Sequence, residues 1–247
     1  MKNKKHPQII ATSVVGAMHS HLKAPCQDYS RCVIGKNLVA VVSDGAGSAK
    51  FGKIGAKIAC ETLCDILKNA NFYNAEKQIA KAILLAREKI VLHRLNKSKS
   101  EKEIENFAAT IVGMLYYKNQ GLFFHIGDGA AIAFGETYDN FVASKPENGN
   151  FSCETFFYTQ PDWLENLRFT RFNTVNSIFL MTDGVTSFSF NQDFSEIERG
   201  FIVPIDTFLR NCTNKIKATK ALTNTLNAPK AQKINADDKT LVWIKVK

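Results

Sequence analysis

The chain lacks any run approaching the ~18 consecutive apolar residues that a membrane-spanning helix needs. Its basic start, Met1 to Gln8, is followed only by Ile9, Ile10 and Ala11 before polar residues return, too short a stretch for the core of a secretory signal. A cytoplasmic protein with no membrane partner is expected. Proline and glycine are sparse, 6 and 14 of 247 residues, which excludes collagen-like and low-complexity chains. The cysteines (26, 32, 60, 64, 153 and 212) have no framework spacing and read as reduced core thiols. No cysteine is followed six positions later by arginine, and no Gly-x-Ser-x-Gly elbow exists, so two common nucleophile loops are missing. His19 and His21 lie near Cys26, but no second pair at zinc spacing accompanies them, and they read as loop or strand-edge histidines.

What remains is 45% hydrophobic and long enough to bury a core unaided, so one domain over residues 1–247 is expected, with any metal there for chemistry rather than folding. Leu38 to Val42 reads as a buried strand. Ile54, Ile58, Leu63, Ile66 and Leu67, then Ile79, Ile83, Ala86 and Ile90, recur at helical spacing around a break at Asn71 to Asn74. From Ala109 the pattern changes to consecutive strands, 109–117, 122–126 and 130–134, which favours antiparallel pairing. Residues 135–176 are irregular and aromatic-rich (Phe141, Phe151, Phe156, Phe157, Tyr158, Trp163, Phe169, Phe172). They are expected to form a flap-like insertion with its own small cluster. A strand running into a turn over 177–184, helical character over 205–226 and a last strand at 240–246 complete an α+β layered class.

One grammar recurs: an apolar strand, a Ser or Thr, then Asp-Gly, at Val42-Ser43-Asp44-Gly45 and at Met181-Thr182-Asp183-Gly184, with a relative at Ile126-Gly127-Asp128-Gly129. Such an aspartate sits where a sheet meets solvent, and the glycine permits a sharp turn or close approach. Together with Asp237-Asp238 these ends can converge on one carboxylate cluster, which needs a cation among its charges and suits Mg²⁺ or Mn²⁺. Asp-Gly is also an ordinary turn dipeptide, and one occurrence alone would carry no chemistry. A competing motif, Gly47 to Lys53, fits the G-x-x-x-x-G-K of a P-loop NTPase. Its next residue is Ile54 instead of Ser or Thr, and antiparallel strands after Phe107 fit a P-loop sheet poorly.

Taken in order, the motifs resemble those of the metal-dependent protein phosphatases of the PPM, or type 2C, class, in their divergent bacterial branch. Cys26-Gln27-Asp28 is similar to the first acidic motif and Asp44-Gly45-Ala46-Gly47-Ser48 to Asp-Gly-x-Gly-Gly. Ala108-Ala109-Thr110 resembles the Gly-Ser-Thr strand start, and Gly127-Asp128-Gly129-Ala130 the Gly-Asp-Ser-Arg turn. Thr182-Asp183-Gly184 matches the later Asp-Gly, and Asp237-Asp238-Lys239-Thr240 the terminal Asp-Asn-x-Thr. The resemblance implies a four-layer α-β-β-α sandwich, two antiparallel sheets flanked by helices, with two or more Mg²⁺ or Mn²⁺ ions at one end. It implies that Asp44 bridges the metals, that the Gly45 carbonyl completes one site, and that Asp183 and Asp237 hold the other. Asp28 would orient metal-bound waters, and a metal-bridging hydroxide would attack phosphorus.

The chain departs from that pattern at three places. Gln27 replaces an acidic residue, and Lys23 falls where a phosphate-binding arginine is usual, a point charge without the guanidinium fork. Ala46 stands where many members place a histidine as general acid, leaving no obvious proton donor. Alkyl phosphoesters are therefore expected to suffer more than aryl phosphates. The expected function is a protein serine/threonine phosphatase acting on phosphorylated proteins, paired with a cognate Ser/Thr kinase. The alternatives are a catalytically impaired phosphoprotein-binding relative and, behind it, the P-loop NTPase. The net charge of +9, with no acidic residue from Thr207 through Ala236, reads first as a solvated helix face and second as attraction for phosphorylated proteins. No nucleic-acid module accompanies it, and nucleic acid is not an expected partner.

Overall fold

The structure, a computed structural model, describes residues 7–95, 104–147 and 155–246. Phe151, Cys153 and the basic start through His6 lie outside them. In chain order the elements are β1 Gln8–Val14, α1 Ala17–His21, β2 Tyr29–Ile34, β3 Leu38–Ser43, α2 Gly52–Leu67, α3 Ala75–Leu95, β4 Ile111–Tyr117, β5 Gln120–Ile126 and β6 Ala130–Phe134. There follow β7 Phe141–Ser144, β8 Arg168–Asn173, β9 Ser177–Met181, α4 Asp183–Thr186, α5 Arg199–Asn211, α6 Lys215–Leu226, α7 Pro229–Ile234 and β10 Lys239–Lys245.

The strands form two five-stranded sheets, ordered β1-β10-β9-β6-β7 and β2-β3-β4-β5-β8, every pairing antiparallel. Strand alternation builds the layers, because successive side chains point to opposite faces. Leu38, Ala40 and Val42 meet Ile178, Leu180, Val242 and Ile244 between the sheets, while Val39 and Val41 face Leu63, Ile79 and Ile83 of α2 and α3. On the other sheet Phe179, Met181, Leu241 and Trp243 pack outward against Ile202, Leu209 and Leu222 of α5 and α6. Central strands covered on both sides read as continuous apolar runs, as Leu38 to Val42 does. This is the expected four-layer α-β-β-α sandwich. Cys60 and Cys64 are free, buried thiols on the inner face of α2.

Residues 135–176 differ from expectation. Their described residues supply an edge strand to each sheet, β7 and β8, and distribute their aromatics among the three core layers. Phe172 enters the inter-sheet core, Tyr158 and Trp163 the layer under α2 and α3, and Phe141 the layer under α5. The helical stretch over 205–226 also starts earlier and is divided. α5 begins at Arg199 with Pro204 inside it, and Asn214, accepting from the Lys217 amide at 3.0 Å, caps a separate α6. Among the described residues no helix is long and apolar enough to cross a membrane.

Candidate metal centre

Antiparallel register brings six chain segments to one end of the sandwich. Asp44 follows the last residue of β3, Ser43, which pairs with Tyr29 at the start of β2, one residue after Asp28. Asp128 lies in the turn from β5 to β6, and Ala130 pairs with Met181, two residues before Asp183. Asp237 and Asp238 lead into β10, whose Leu241 also pairs with Met181. Two glycines make the crowding possible. A Cβ at Gly16 would lie 2.2 Å from the Asp237 carbonyl carbon, and one at Gly184 would lie 1.8 Å from the Asp238 oxygen. Only residues without a Cβ let three backbones pass so closely.

The two sheets are tied across this end. The Thr182 hydroxyl donates to Asp28 Oδ2 at 2.8 Å and accepts from the Thr240 amide at 3.0 Å. Asp44 is fixed by its own amide, which donates to Thr110 Oγ1 at 3.0 Å, while its carbonyl accepts from the Thr110 amide at 2.9 Å.

The carboxylates are crowded and starved of water. Burial pushes Asp28 up to about 7, opposed by the neighbouring Asp44, Thr240 and Thr182 side chains and with a further push from the charge of Asp183. Burial, followed by the charge of Asp28 and the proximity of Asp237 and Asp128, raises Asp44 well above the usual carboxylate range. Asp183 is raised likewise by burial and then by Asp44, Asp128 and Asp237. Asp128 is raised by burial and by Asp237, opposed by the Thr155 hydroxyl that donates to its Oδ2 at 2.6 Å. The Oδ1 atoms of Asp28 and Asp128 are buried with no hydrogen-bond partner among the described residues. An all-oxygen set that its own charges oppose, with unpaired buried oxygens, fits hard divalent cations.

Asp238 is different. Its Oδ1 accepts from the Gly16 amide (2.8 Å), and its Oδ2 from the Gln27 amide (2.6 Å) and His19 Nδ1 (2.9 Å). Both oxygens are thus spent on the protein, although a ring nitrogen of His19 and carboxylate oxygens of Asp237 and Asp238 all lie within 4.8 Å of one another. The Gln27 side-chain amide, its nitrogen turned to the loop, donates to the carbonyls of Gly45 (3.0 Å) and Ala46 (3.1 Å), bracing the turn after Asp44. Lys239 is buried and donates to the Asp237 carbonyl at 2.7 Å.

Of the residues expected from sequence, Asp28, Asp44, Asp183 and Asp237 are brought together, with Gly45 beside them. Lys23 is not drawn in: it is exposed, has a φ of 53°, and makes no side-chain hydrogen bond or ion pair among the described residues. Asp128 joins the cluster, as its Gly-Asp-Gly turn hinted. His19, expected at a loop or strand edge, lies buried in α1, and its link to Asp238 spans 219 positions, beyond any local pattern.

The sequence profile described as Protein phosphatase 2C matches residues 15–227. Serine/threonine-protein phosphatase 3 of Escherichia coli (strain K12) is 26% identical over 252 residues, covering 95% of this chain and 96% of that protein. Among solved structures, the S. agalactiae serine/threonine phosphatase superposes with a TM-score of 0.69 at 14% identity, over 98% of this chain and 100% of that one. The serine/threonine phosphatase Stp1 from Staphylococcus aureus gives 0.67 at 14% identity, over 100% and 98%. At such identities the structural likeness establishes the fold alone.

Proposed function

The chain belongs to the protein phosphatase 2C family, and from that premise we propose that it is a metal-dependent protein serine/threonine phosphatase using Mg²⁺ or Mn²⁺. The observation that carries this reading is the convergence of Asp28, Asp44, Asp128, Asp183 and Asp237 at one end of the sandwich, where burial and neighbouring charge raise the first four above the usual carboxylate range. In the proposal Asp44, which faces Asp28, Asp128 and Asp237, would be a ligand to the cations, with the Gly45 carbonyl beside it. Asp183 and Asp237 would hold cation as well, and Asp28, tied to Thr182, would orient water. Bound cations supply a more acidic water as nucleophile and offset phosphate charge. Lys23, exposed ahead of Asp28, adds attraction for phosphate without fixing its geometry. The substrates are phosphorylated proteins, and a cognate Ser/Thr kinase in the same cytoplasm completes the proposal.

The exclusively antiparallel sheets remove the P-loop reading, which requires a parallel one. The test is hydrolysis of a phosphoserine peptide and of p-nitrophenyl phosphate with Mn²⁺, Mg²⁺ or EDTA. Turnover with either cation and none with EDTA is expected. No turnover with any cation, in a folded protein that still binds the phosphopeptide, would replace the enzyme by a phosphoprotein-binding relative.

A further inference from the structure

Ala46 leaves the loop after Asp44 without a group able to protonate a departing oxygen, yet an imidazole stands beside that loop. His19 is only 6% exposed. Its Nδ1 bonds to Asp238 Oδ2 at 2.9 Å, and Asp238 is itself held by the Gly16 and Gln27 amides. Two backbone donors keep Asp238 an acceptor, so the proton of the neutral ring resides on Nδ1 and Nε2 faces outward. Nε2 lies 3.8 Å from where a Cβ would sit on Gly47, next to Ala46, and makes no hydrogen bond among the described residues. A buried ring oriented by a carboxylate, with its other nitrogen turned to the loop beside a carboxylate cluster, has the arrangement of a general acid.

We propose that His19, oriented by Asp238, is the proton donor to the leaving oxygen of the phosphoester. The inference rests on the phosphatase reading and replaces the expectation that alkyl phosphoesters lack a donor. As the attacking water oxygen bonds to phosphorus, the bond from phosphorus to the leaving oxygen breaks and its electron pair stays on that oxygen. The donating form of the ring carries a proton on each nitrogen, and its Nε2 proton forms the new O–H of the alcohol, leaving the neutral ring with its proton on Nδ1. The water's surplus proton goes to solvent, and solvent returns one to Nε2, with Nδ1–H remaining on Asp238 throughout. His19 is the catalytic group in this scheme and Asp238 the positioning one.

The test compares wild type with His19→Gln on phenyl phosphate, a phosphoserine peptide and 2,4-dinitrophenyl phosphate. A general acid contributes roughly 10²-fold or more, and only where the leaving group needs a proton. The substitution should therefore slow the first two substrates about a hundredfold and the dinitrophenyl ester by less than about threefold. Equal slowing of all three overturns the proposal, because a merely structural histidine does not sense the leaving group. If wild type turns over none of them with any cation, the phosphatase reading fails and the proposal with it.

Two readouts do not depend on turnover. Nitrogen-15 NMR of the metal-free protein should find the neutral His19 ring protonated on Nδ1, and protonation on Nε2 instead would overturn the orienting role of Asp238. Electron spin echo spectra of the Mn²⁺-loaded protein should show no nitrogen coupling that His19→Gln removes. Such coupling would make His19 a ligand, with no proton to give, and would also overturn the proposal.

Discussion

The carboxylate cluster should make the metal-free protein lose stability as pH rises through the neutral range. Asp28 moves from 3.8 to about 7 on folding. A raised carboxyl binds its proton more tightly in the folded state, so its ionisation favours unfolding. The penalty begins above the unfolded value and is complete above the folded one. At ~1.4 kcal/mol per unit the full cost is about 4 kcal/mol, of which about 2 kcal/mol falls between roughly pH 5.5 and pH 8. For a domain of this size that is a drop of about 4–8 °C in Tm. Asp44, Asp128 and Asp183 are shifted the same way and add to it. The assay is thermal unfolding in EDTA at both pH values, for wild type and Asp28→Asn, which keeps an oxygen for the Thr182 hydroxyl. Wild type should lose stability at the higher pH, Asp28→Asn should lose less by about 2 kcal/mol, and saturating Mn²⁺ should remove most of the difference. Equal pH slopes for the two proteins, or a metal-free wild type more stable at pH 8, would refute the reasoning.

Asp206 is fully buried and accepts from Trp243 Nε1 (2.8 Å) and the Tyr138 hydroxyl (2.7 Å) while pairing with Arg210 at 2.6 Å. Asp206→Ala should cost about 3–5 kcal/mol in urea unfolding, because it strands a charge and two donors, and a cost below ~1 kcal/mol would contradict that. Lys53, exposed on α2, should tolerate Lys53→Ala within about 0.5 kcal/mol and with phosphatase turnover kept, whereas loss of ATP binding on that change would revive the nucleotide reading.

The carboxylate end of the sandwich is legible in the sequence because its strands are central. Buried on both faces, β3 and β9 read as apolar runs, and the Asp-Gly steps mark where each leaves the core. The edges are not. β2 and β8, Tyr29–Ile34 and Arg168–Asn173, are half-covered and mix charged with apolar residues, so no period stands out. Pro204 hid the first turns of α5, since proline is normally a helix boundary. At the site, Asp28, Asp44, Asp183 and Asp237 were read from ordered motifs. Asp128 reads in the sequence as part of a turn, and only the pairing of β6 with β9 brings it to the other carboxylates. The pairing of His19 with Asp238 depends on β1 lying against β10, a tertiary fact that joins the two ends of the chain.

If these aspartates hold the cations, removing one must lower the number of ions bound, which electron paramagnetic resonance of Mn²⁺ counts in wild type, Asp44→Asn and Asp183→Asn. Wild type should bind two or more ions and each variant fewer, with p-nitrophenyl phosphate turnover falling by about 10²–10³. Wild type that binds no Mn²⁺ at millimolar concentration, or variants that bind as many ions as wild type, would contradict that role for the aspartates.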